Sequence, residues 1–212
     1  KRPISILVKS LKEIGAKIEY LENSGFPPLK ITGQKLKSNK LKIDSSISSQ
    51  FISSLILISP KIEGGLEIEM TGKDTSAPYI EMTMDLLKKI GVLVKHQHNI
   101  ISINQKDKIK AIDIIVEPDW SSASYFYSIV SLAEIGYCLE LVNFNSHSIQ
   151  GDKRVTKIFE LFGVKTTFLD KFIRLEKISK AKKIISLDLS SNPDLAQTIA
   201  VTCLALKISC KL

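Results

Sequence analysis

The sequence has 212 residues, 44% hydrophobic and 25% charged, a balance typical of a soluble globular protein with one large or two small domains. No apolar run approaches the ~20 residues of a membrane-spanning helix, and we expect no secretory signal ahead of the first predicted helix. The net charge of +8 leaves nucleic acid, a membrane surface and small anions as candidate partners.

The cysteines and lysines narrow these classes. Cys138, Cys203 and Cys210 are an odd number without CxxC spacing, and the three histidines complete no metal-ligand set. We therefore expect reduced, mostly buried thiols in a cytoplasmic protein, and no metal site. The lysines are scattered and the aromatic content is only 7%, which counts against a stacking platform for single strands. A small phosphate-bearing molecule fits the charge at least as well.

In chain order, the first predicted element is a helix with an apolar stripe over Leu7–Ile14. Gly15 ends this helix, and an alternating strand follows as far as Tyr20. The same helix, glycine and strand return around Gly91 and Gly163, which predicts an internal repeat.

A second repeated marker is a run of small polar residues that opens an apolar helix. It occurs at Ser48–Phe51, Ser121–Phe126 and Ser190–Gln197. In the third copy, Pro193 stands where proline at the first helical position is favoured. The helices predicted behind these markers are Phe51–Ile58, Tyr125–Leu132 and Leu195–Leu206.

Alternating and β-branched stretches between the helices predict strands. With the helices they give a βαβαββ repeat of roughly 70 residues. Such apolar helices need partners on several sides, so we expect an α/β fold with helices facing inward and sheets outside. The predicted strands are Leu29–Thr32, Leu41–Ile43, Leu66–Met70, Ile100–Ile103, Ile112–Val116, Leu139–Val142, Phe172–Leu175 and Ile184–Leu187.

A domain boundary is predicted near Glu117-Pro118, where one strand ends and a capped helix begins at Asp119. Residues 1–116 and 117–212 would then belong to different domains. The sequence does not begin with Met, and we expect it to be part of a longer protein.

Ser48, Ser49 and Gln50 form the most suggestive of the helix starts. Serine before an apolar helix is a common N-cap. The unpaired N–H groups and positive dipole of a helix start also suit phosphate. From the residues alone, both capping and anion binding stay open, and capping is the commoner.

Several phrases stand in order along the chain, at Arg2–Ile4, Pro27–Leu29, Ser48–Phe51, Ser76–Ile80, Val116–Phe126, Asn145–Asp152 and Asn192–Thr198. Taken together, they resemble the 5-enolpyruvylshikimate-3-phosphate (EPSP) synthase family of enolpyruvyl transferases, and the resemblance covers essentially all 212 residues. UDP-N-acetylglucosamine enolpyruvyl transferases share the architecture and remain an alternative, but they are not known for the SSQF, DWSSASYF and SxQGD set. A non-enzymatic basic module for an anionic partner such as RNA is the other alternative.

The resemblance implies a two-domain inside-out α/β barrel with three βαβαββ units in each domain, here incomplete. Residues 1–116 would be the latter part of one domain and residues 117–212 the first part of the other, with the substrates in the cleft between them. The implied reaction moves the enolpyruvyl group of phosphoenolpyruvate to the 5-hydroxyl of shikimate 3-phosphate, without metal or organic cofactor, in the cytoplasm. We expect the longer protein to be a monomer, and these 212 residues alone to be inactive and prone to self-association.

The family's phosphate-binding residues carry over to matching positions. The resemblance implies that Arg2 contacts phosphoenolpyruvate, because a guanidinium binds anions through bidentate charge-assisted bonds. It also implies that Ser48, Ser49 and Gln50 bind shikimate 3-phosphate. Ser76 matches a further phosphate contact, with a plain N-cap as its alternative.

Two further residues match site positions of the family, the aromatic Tyr79 and the carboxylate Asp194. Tyr79 would contact the substrate ring, with core packing as an equal alternative. Asp194 matches the carboxylate that accepts a hydrogen bond from the substrate 5-hydroxyl and is proposed to take its proton. Structural roles in capping and loop hydrogen bonds are expected for Asp119, Gln150 and Asp152.

Overall fold

The computed structural model describes residues 2–37, 39–46, 48–72, 77–109 and 111–212. The chain divides into two compact units, residues 1–113 and 114–212, each with its own hydrophobic core. The first unit contains α1 (Ser5–Glu13), β1 (Lys17–Tyr20), β2 (Leu29–Thr32), β3 (Lys40–Asp44), α2 (Ser49–Ile58), β4 (Leu66–Thr71), α3 (Ala77–Lys89), β5 (Val94–Gln97) and β6 (Ile100–Ile103). The second contains α4 (Trp120–Leu132), β7 (Cys138–Val142), α5 (Val155–Ile158), β8 (Val164–Phe168), β9 (Phe172–Lys177), β10 (Ile184–Ser186), α6 (Ala196–Leu206) and β11 (Ser209–Lys211).

Among the described residues, one complete copy of the predicted βαβαββ repeat is present, from β3 to β6. These four strands form one sheet in the order β3-β4-β6-β5, with β3 parallel to β4 and the other neighbours antiparallel. The parallel pair sets Leu41 opposite Ile68 and Asp44 opposite Thr71. A parallel pair needs a crossover, which α2 provides.

The two faces of this sheet differ in chemistry. Ile68 on the inner face is fully buried, as are Ile52 and Leu55 of α2. The outer face carries exposed cross-strand pairs such as Lys42 Nζ to Glu69 Oε1 at 2.8 Å, which contribute ~0–1 kcal/mol each. The helices therefore lie on the inner side of the sheet, as the sequence predicts.

The second unit repeats the same order without a first strand. Its sheet, β7-β9-β8, is wholly antiparallel, and β10, α6 and β11 begin a further repeat with a parallel strand pair. The predicted helix before β8 is α only over Val155–Ile158 and continues as a 3-10 helix, Phe159–Phe162.

Glycine ends the predicted helices as expected. Gly15, Gly91 and Gly163 have φ angles of +105°, +80° and +76°, a region that β-carbon-bearing residues seldom adopt. At Gly163 a β-carbon would also lie 2.0 Å from the carbonyl oxygen of Ser179, so only glycine fits there.

The predicted strand Ile112–Val116 is wrong. This segment has no regular structure, and Ile115 and Val116 are 95% and 86% exposed. A strand forms only when a neighbour takes up its backbone hydrogen bonds. Within the described part of the chain, no strand pairs with this segment, so its apolar pattern does not suffice.

Burial of the helices on all sides is also not observed. Leu57 of α2 is 56% exposed, and α4 and α6 expose further apolar side chains. Each of these helices therefore packs one face against the core and exposes the other. None of the helices in the described ranges has the length and hydropathy to cross a membrane. The exposed side chains of α4 and α6 include Tyr125, Phe126, Ile129, Leu132, Val201 and Leu204.

The cysteines are free thiols, but the expectation that most are buried is wrong. Only Cys203 is buried, while Cys138 and Cys210 are exposed on strands. Burial raises the pKa of the Cys203 thiol to about 11, and the neighbouring Cys210 adds to the shift.

Candidate functional site

Polar side chains of the first unit lie where its two parallel strands end. β3 ends at Asp44 and β4 at Thr71, paired with each other, so both carboxyl ends lie at one edge of the sheet. Each strand leads into a helix, α2 after β3 and α3 after β4. The starts of both helices therefore lie at this edge, the usual place for a ligand in α/β folds.

The start of α2 has the features of an anion site. Ser48 is the N-cap residue, with extended φ and ψ of −165° and 116°, but its side chain makes no capping hydrogen bond. The first turn contains no acidic residue. Ser49 is only 8% exposed, whereas Gln50 is exposed. The dipole and first N–H groups of α2 can therefore act on an anion without competition from a carboxylate cap.

A turn that the sequence reasoning missed lies between β3 and this helix start. The Oδ1 atom of Asp44 accepts hydrogen bonds from Ser46 N at 2.9 Å and Ser46 Oγ at 2.6 Å, and these bonds lower the pKa of the Asp44 carboxyl. A β-carbon on Gly72 would lie 2.6 Å from the same oxygen. The signal was present, because Asp followed by serines after a strand favours such a turn.

The start of α3 places Tyr79 at the same edge. Tyr79 is half-buried in the first turn, and its carbonyl accepts a hydrogen bond from Thr83 Oγ1 at 2.8 Å. Thr83 Oγ1 also bonds to Ser53 Oγ of α2 at 3.1 Å, which ties the two helices together. The predicted site residue Ser76 lies outside the described residues.

Arg2 lies on another element, the exposed approach to α1. The last turn of α1 lies beside the segment leading into β3, since Lys37 N donates to the carbonyl of Ile14 at 2.9 Å. α1 also packs on β3. Arg2 is exposed, and an exposed guanidinium can offer its hydrogen-bond donors to an anion.

In the second unit, Asp194 lies in a single 3-10 turn, Pro193–Leu195, that leads into α6. Its side chain is exposed. As predicted, proline occupies the first position of this turn.

Two pairs of hydroxyl groups hold α4 and α6 together. Ser124 Oγ donates to Thr198 Oγ1 at 2.9 Å, and Thr202 Oγ1 donates to Ser128 Oγ at 2.8 Å. Since both pairs advance by four residues on each helix, the helices are parallel and their N-terminal ends lie together.

Asp119 has the capping role predicted for it. Its Oδ1 atom accepts a hydrogen bond from Ser121 N at 2.9 Å, and both oxygens accept from the hydroxyls of Ser121 and Ser122 at 2.6–2.9 Å. Partial burial alone would raise the pKa of this carboxyl, but the hydrogen bonds from Ser122 and Ser121 outweigh it and the pKa is lowered.

Gln150 anchors the loop before α4, in keeping with the loop hydrogen bonds predicted for it. Its Oε1 atom accepts from Trp120 N at 3.0 Å, and its Nε2 atom donates to the carbonyl of Pro118 at 2.9 Å. Ser148 Oγ donates to Glu117 Oε2 in the same network. Trp120 itself is 1% exposed and packs edge-on against Phe144, with 4.9 Å between the ring centroids.

Within the described ranges, no three His, Cys, Asp or Glu side chains lie close enough to hold a metal ion.

The fold has clear structural relatives. An EPSP synthase from Acinetobacter baumannii superposes with a TM-score of 0.70 at 23% identity, over 95% of this chain and 46% of that chain. The enolpyruvyl transferase NikO from Streptomyces tendae has a TM-score of 0.63 at 15% identity, over 91% of this chain and 48% of that chain. These likenesses define the class, the inside-out α/β fold of enolpyruvyl transferases.

Sequence similarity then identifies the family. A family model described as EPSP synthase (3-phosphoshikimate 1-carboxyvinyltransferase) matches residues 1–211, and the chain belongs to this family. The predicted family and fold class are thus confirmed.

Curated relatives named 3-phosphoshikimate 1-carboxyvinyltransferase are longer than this chain. That of Bacteroides fragilis strain YCH46 is 38% identical over 208 residues, which are 98% of this chain and 50% of the relative. That of Histophilus somni strain 2336 is 39% identical over 206 residues, which are 96% of this chain and 46% of the relative. The chain therefore spans about half the length of the curated relatives that it matches.

Proposed function

We propose that this chain is part of an enzyme that transfers the enolpyruvyl group of phosphoenolpyruvate to the 5-hydroxyl of shikimate 3-phosphate, with release of phosphate. The observation that carries the proposal is membership of the EPSP synthase family over residues 1–211. The reaction would serve the shikimate pathway of aromatic amino acid biosynthesis, in the cytoplasm.

In the first unit, the proposed ligand is the phosphate of shikimate 3-phosphate at the start of α2. Ser48 and Ser49 would donate hydroxyl hydrogen bonds, and Gln50 would donate its amide to a ring hydroxyl or carboxylate. Support comes from the N-cap geometry of Ser48 without a side-chain cap and from the absence of acid in the first turn. Tyr79, at the same edge, would contact the substrate ring, and Ser76 is retained from the family match.

Arg2 is the proposed contact for phosphoenolpyruvate. Its exposure before α1 leaves the planar guanidinium accessible, and such a fork binds a carboxylate or phosphate through two parallel bonds. A lysine at this position would keep the charge but lose the bidentate geometry.

In the second unit, Asp194 is the proposed proton acceptor for the 5-hydroxyl. A carboxylate performs this role when it is ionised and within about 3 Å of the hydroxyl oxygen. Its exposed place in the turn before α6 supports the role, because a substrate can reach it.

The domain assignment is part of the proposal. Residues 1–116 would be the latter part of one enolpyruvyl transferase domain and residues 117–212 the first part of the other, with a hinge near Glu117-Pro118. The longer protein would be a monomer that needs no cofactor.

Two proteins test the proposed function, the 212-residue chain and a longer protein that contains it. With both substrates, we expect phosphate release from the longer protein and none from the 212 residues alone. Phosphate release by the shorter chain would contradict the proposed dependence on residues outside it. If RNA stabilised the protein in a salt-dependent manner and shikimate 3-phosphate did not, the basic-module alternative would be favoured.

The open faces of α4 and α6 predict self-association of the 212-residue chain. Contiguous exposed apolar surface favours association, and Phe126, Ile129 and Val201 are 42%, 51% and 62% exposed. Sedimentation velocity should show oligomers of the unaltered chain. The double variant Ile129→Ser, Val201→Ser should contain a smaller fraction of oligomer. A chain that stays monomeric at high concentration would refute this.

A further inference from the structure

The turn that carries Asp194 is held from behind by a buried amide. Asn192 is 1% exposed and is the N-cap residue of the turn Pro193–Leu195, but its side chain makes no cap hydrogen bond. Instead the side chain is directed into the unit. Its backbone closes the turn, with Asn192 N donating to Leu189 O at 2.9 Å and Leu195 N donating to Asn192 O at 3.2 Å.

Two residues of another segment engage this amide from opposite sides. Asn192 Nδ2 donates to Asp152 Oδ1 at 3.4 Å, and Arg154 Nη1 donates to Asn192 Oδ1 at 3.3 Å. Arg154 Nη1 also donates to the carbonyl of Asp188 at 3.2 Å, just before the turn. Both ends of the amide are thus paired, so its orientation is fixed: the reversed amide would set donor against donor and acceptor against acceptor.

Burial makes this arrangement stiff. Asp152 is 4% exposed, and a buried carboxylate is costly unless hydrogen bonds compensate it. In such low-dielectric surroundings, hydrogen bonds in a network strengthen one another.

The segment that bears Asp152 and Arg154 is itself anchored. It is a 3-10 turn, Gly151–Arg154, directly after Gln150, which holds the backbone on either side of the α4 N-cap. Lys153 Nζ donates to the carbonyl of Ser146 at 2.9 Å. One short loop therefore fixes the approach to α4 through Gln150 and the approach to α6 through Asn192.

We propose that Asn192, held by Asp152 and Arg154, is a positioning residue that sets the carboxylate of Asp194 against the substrate 5-hydroxyl. The inference rests on the proposed function of Asp194. Asn192 touches no substrate; it acts by holding the turn in which Asp194 lies. Loss of the buried amide lets the turn relax, so that Asp194 no longer meets the hydroxyl at hydrogen-bonding distance.

The test compares two ligands of the longer protein that contains these residues, shikimate 3-phosphate and its 5-deoxy analogue, by titration calorimetry. A hydrogen bond to a charged group contributes about tenfold in affinity or more, so the unaltered protein should prefer the 5-hydroxyl ligand by about tenfold. Asn192→Ala and Arg154→Met should bring the ratio of the two dissociation constants toward one while hardly changing the affinity for the 5-deoxy ligand. Arg154→Met removes only an exposed guanidinium and gives the same readout if Asn192→Ala does not fold.

The matched control is Asn145→Ala. Asn145 Oδ1 accepts from His147 N at 2.8 Å in an exposed turn near the same loop, and this variant should keep the tenfold ratio. An unchanged ratio in Asn192→Ala and Arg154→Met would overturn the proposal, as would an equal loss of affinity for both ligands, which a merely structural role predicts. Two other results would contradict the proposed function itself. They are an unchanged ratio in Asp194→Ala, and an unaltered protein that binds neither ligand. Both can be told apart from the two results that overturn only the role of Asn192.

Discussion

The starts of α4 and α2 occupy equivalent places in the repeat. They differ in whether a side chain accepts a hydrogen bond from the first N–H groups of the helix. At α4, Asp119 supplies a carboxylate to a backbone N–H and to two serine hydroxyls. At α2, Ser48 has the N-cap backbone geometry, but its side chain makes no cap hydrogen bond and the first turn has no acid. A carboxylate at the end of a helix dipole neutralises it and repels anions, whereas a hydroxyl leaves the dipole available.

The sequence left capping and anion binding open at Ser48, and a helix start without a carboxylate cap is what the proposed anion binding requires. At α4, for which no ligand is proposed, an aspartate caps the helix start. The third equivalent place, before α6, is different again. Its acid, Asp194, is not the cap residue but stands exposed in the first turn.

The largest expected effect is the loss of turnover when Asp194, in the turn before α6, is replaced. In a longer protein that contains these residues, Asp194→Ala should lower kcat about 10²–10⁴-fold, the usual contribution of a general base. Steady-state phosphate release measures it. Asp170→Ala, an exposed acid between β8 and β9, is the matched control and should leave kcat unchanged. A change below twofold in Asp194→Ala would remove Asp194 from the chemistry.

The next largest effect is expected when the N-cap of α2 is made acidic, like that of α4. Ser48→Asp should stabilise the fold by about 0.3–1 kcal/mol, since an acid at a helix start complements the dipole. The same change should weaken binding of shikimate 3-phosphate about 10–100-fold, because it removes a donor and adds a like charge. Thermal unfolding and calorimetry would measure the two effects.

The opposite signs of those two effects are informative. A start that serves only for capping would gain stability and keep its ligand affinity. Ser48→Ala is the control, and we expect it to change stability little because the hydroxyl makes no cap bond. A marked destabilisation in Ser48→Ala would show that Ser48 caps α2 after all.

The sequence predicted the repeated order of elements because hydrophobic period, glycine and cap residues are local signals. Gly15, Gly91 and Gly163 all adopt the expected positive φ. It failed at Ile112–Val116, because a strand depends on a partner that the segment itself does not encode. It also missed Asn192 and Asp44, whose roles depend on contacts with residues distant in the sequence or on a turn geometry.

The cap of α4 should matter moderately for stability. Asp119→Ala removes the acceptor for Ser121 N and should lower the free energy of unfolding by ~1 kcal/mol. Asp119→Asn keeps an amide oxygen as acceptor and should cost only a fraction of that. Chemical denaturation of the three proteins measures both values, and equal stabilities of Asp119→Ala and the unaltered chain would show that the observed bonds contribute nothing.

The smallest effect is the pH dependence of this cap. The pKa of Asp119 is below its ordinary value of 3.8 in the fold, because the hydrogen bonds from Ser122 and Ser121 outweigh its partial burial. The stability from this carboxylate is therefore complete above the pKa of the unfolded chain and is lost as the pH falls through the folded pKa.

Asp119→Asn cannot titrate, so it isolates that contribution. The advantage of the unaltered chain over Asp119→Asn, measured by denaturation at pH values from about 6 to about 3, should shrink as the acid is protonated. No such trend is expected between Ser48→Ala and the unaltered chain, because Ser48 carries no titrating group. A pH-independent gap at Asp119 would mean that its charge is irrelevant, and the contrast between the two helix starts would then reduce to hydrogen-bond geometry alone.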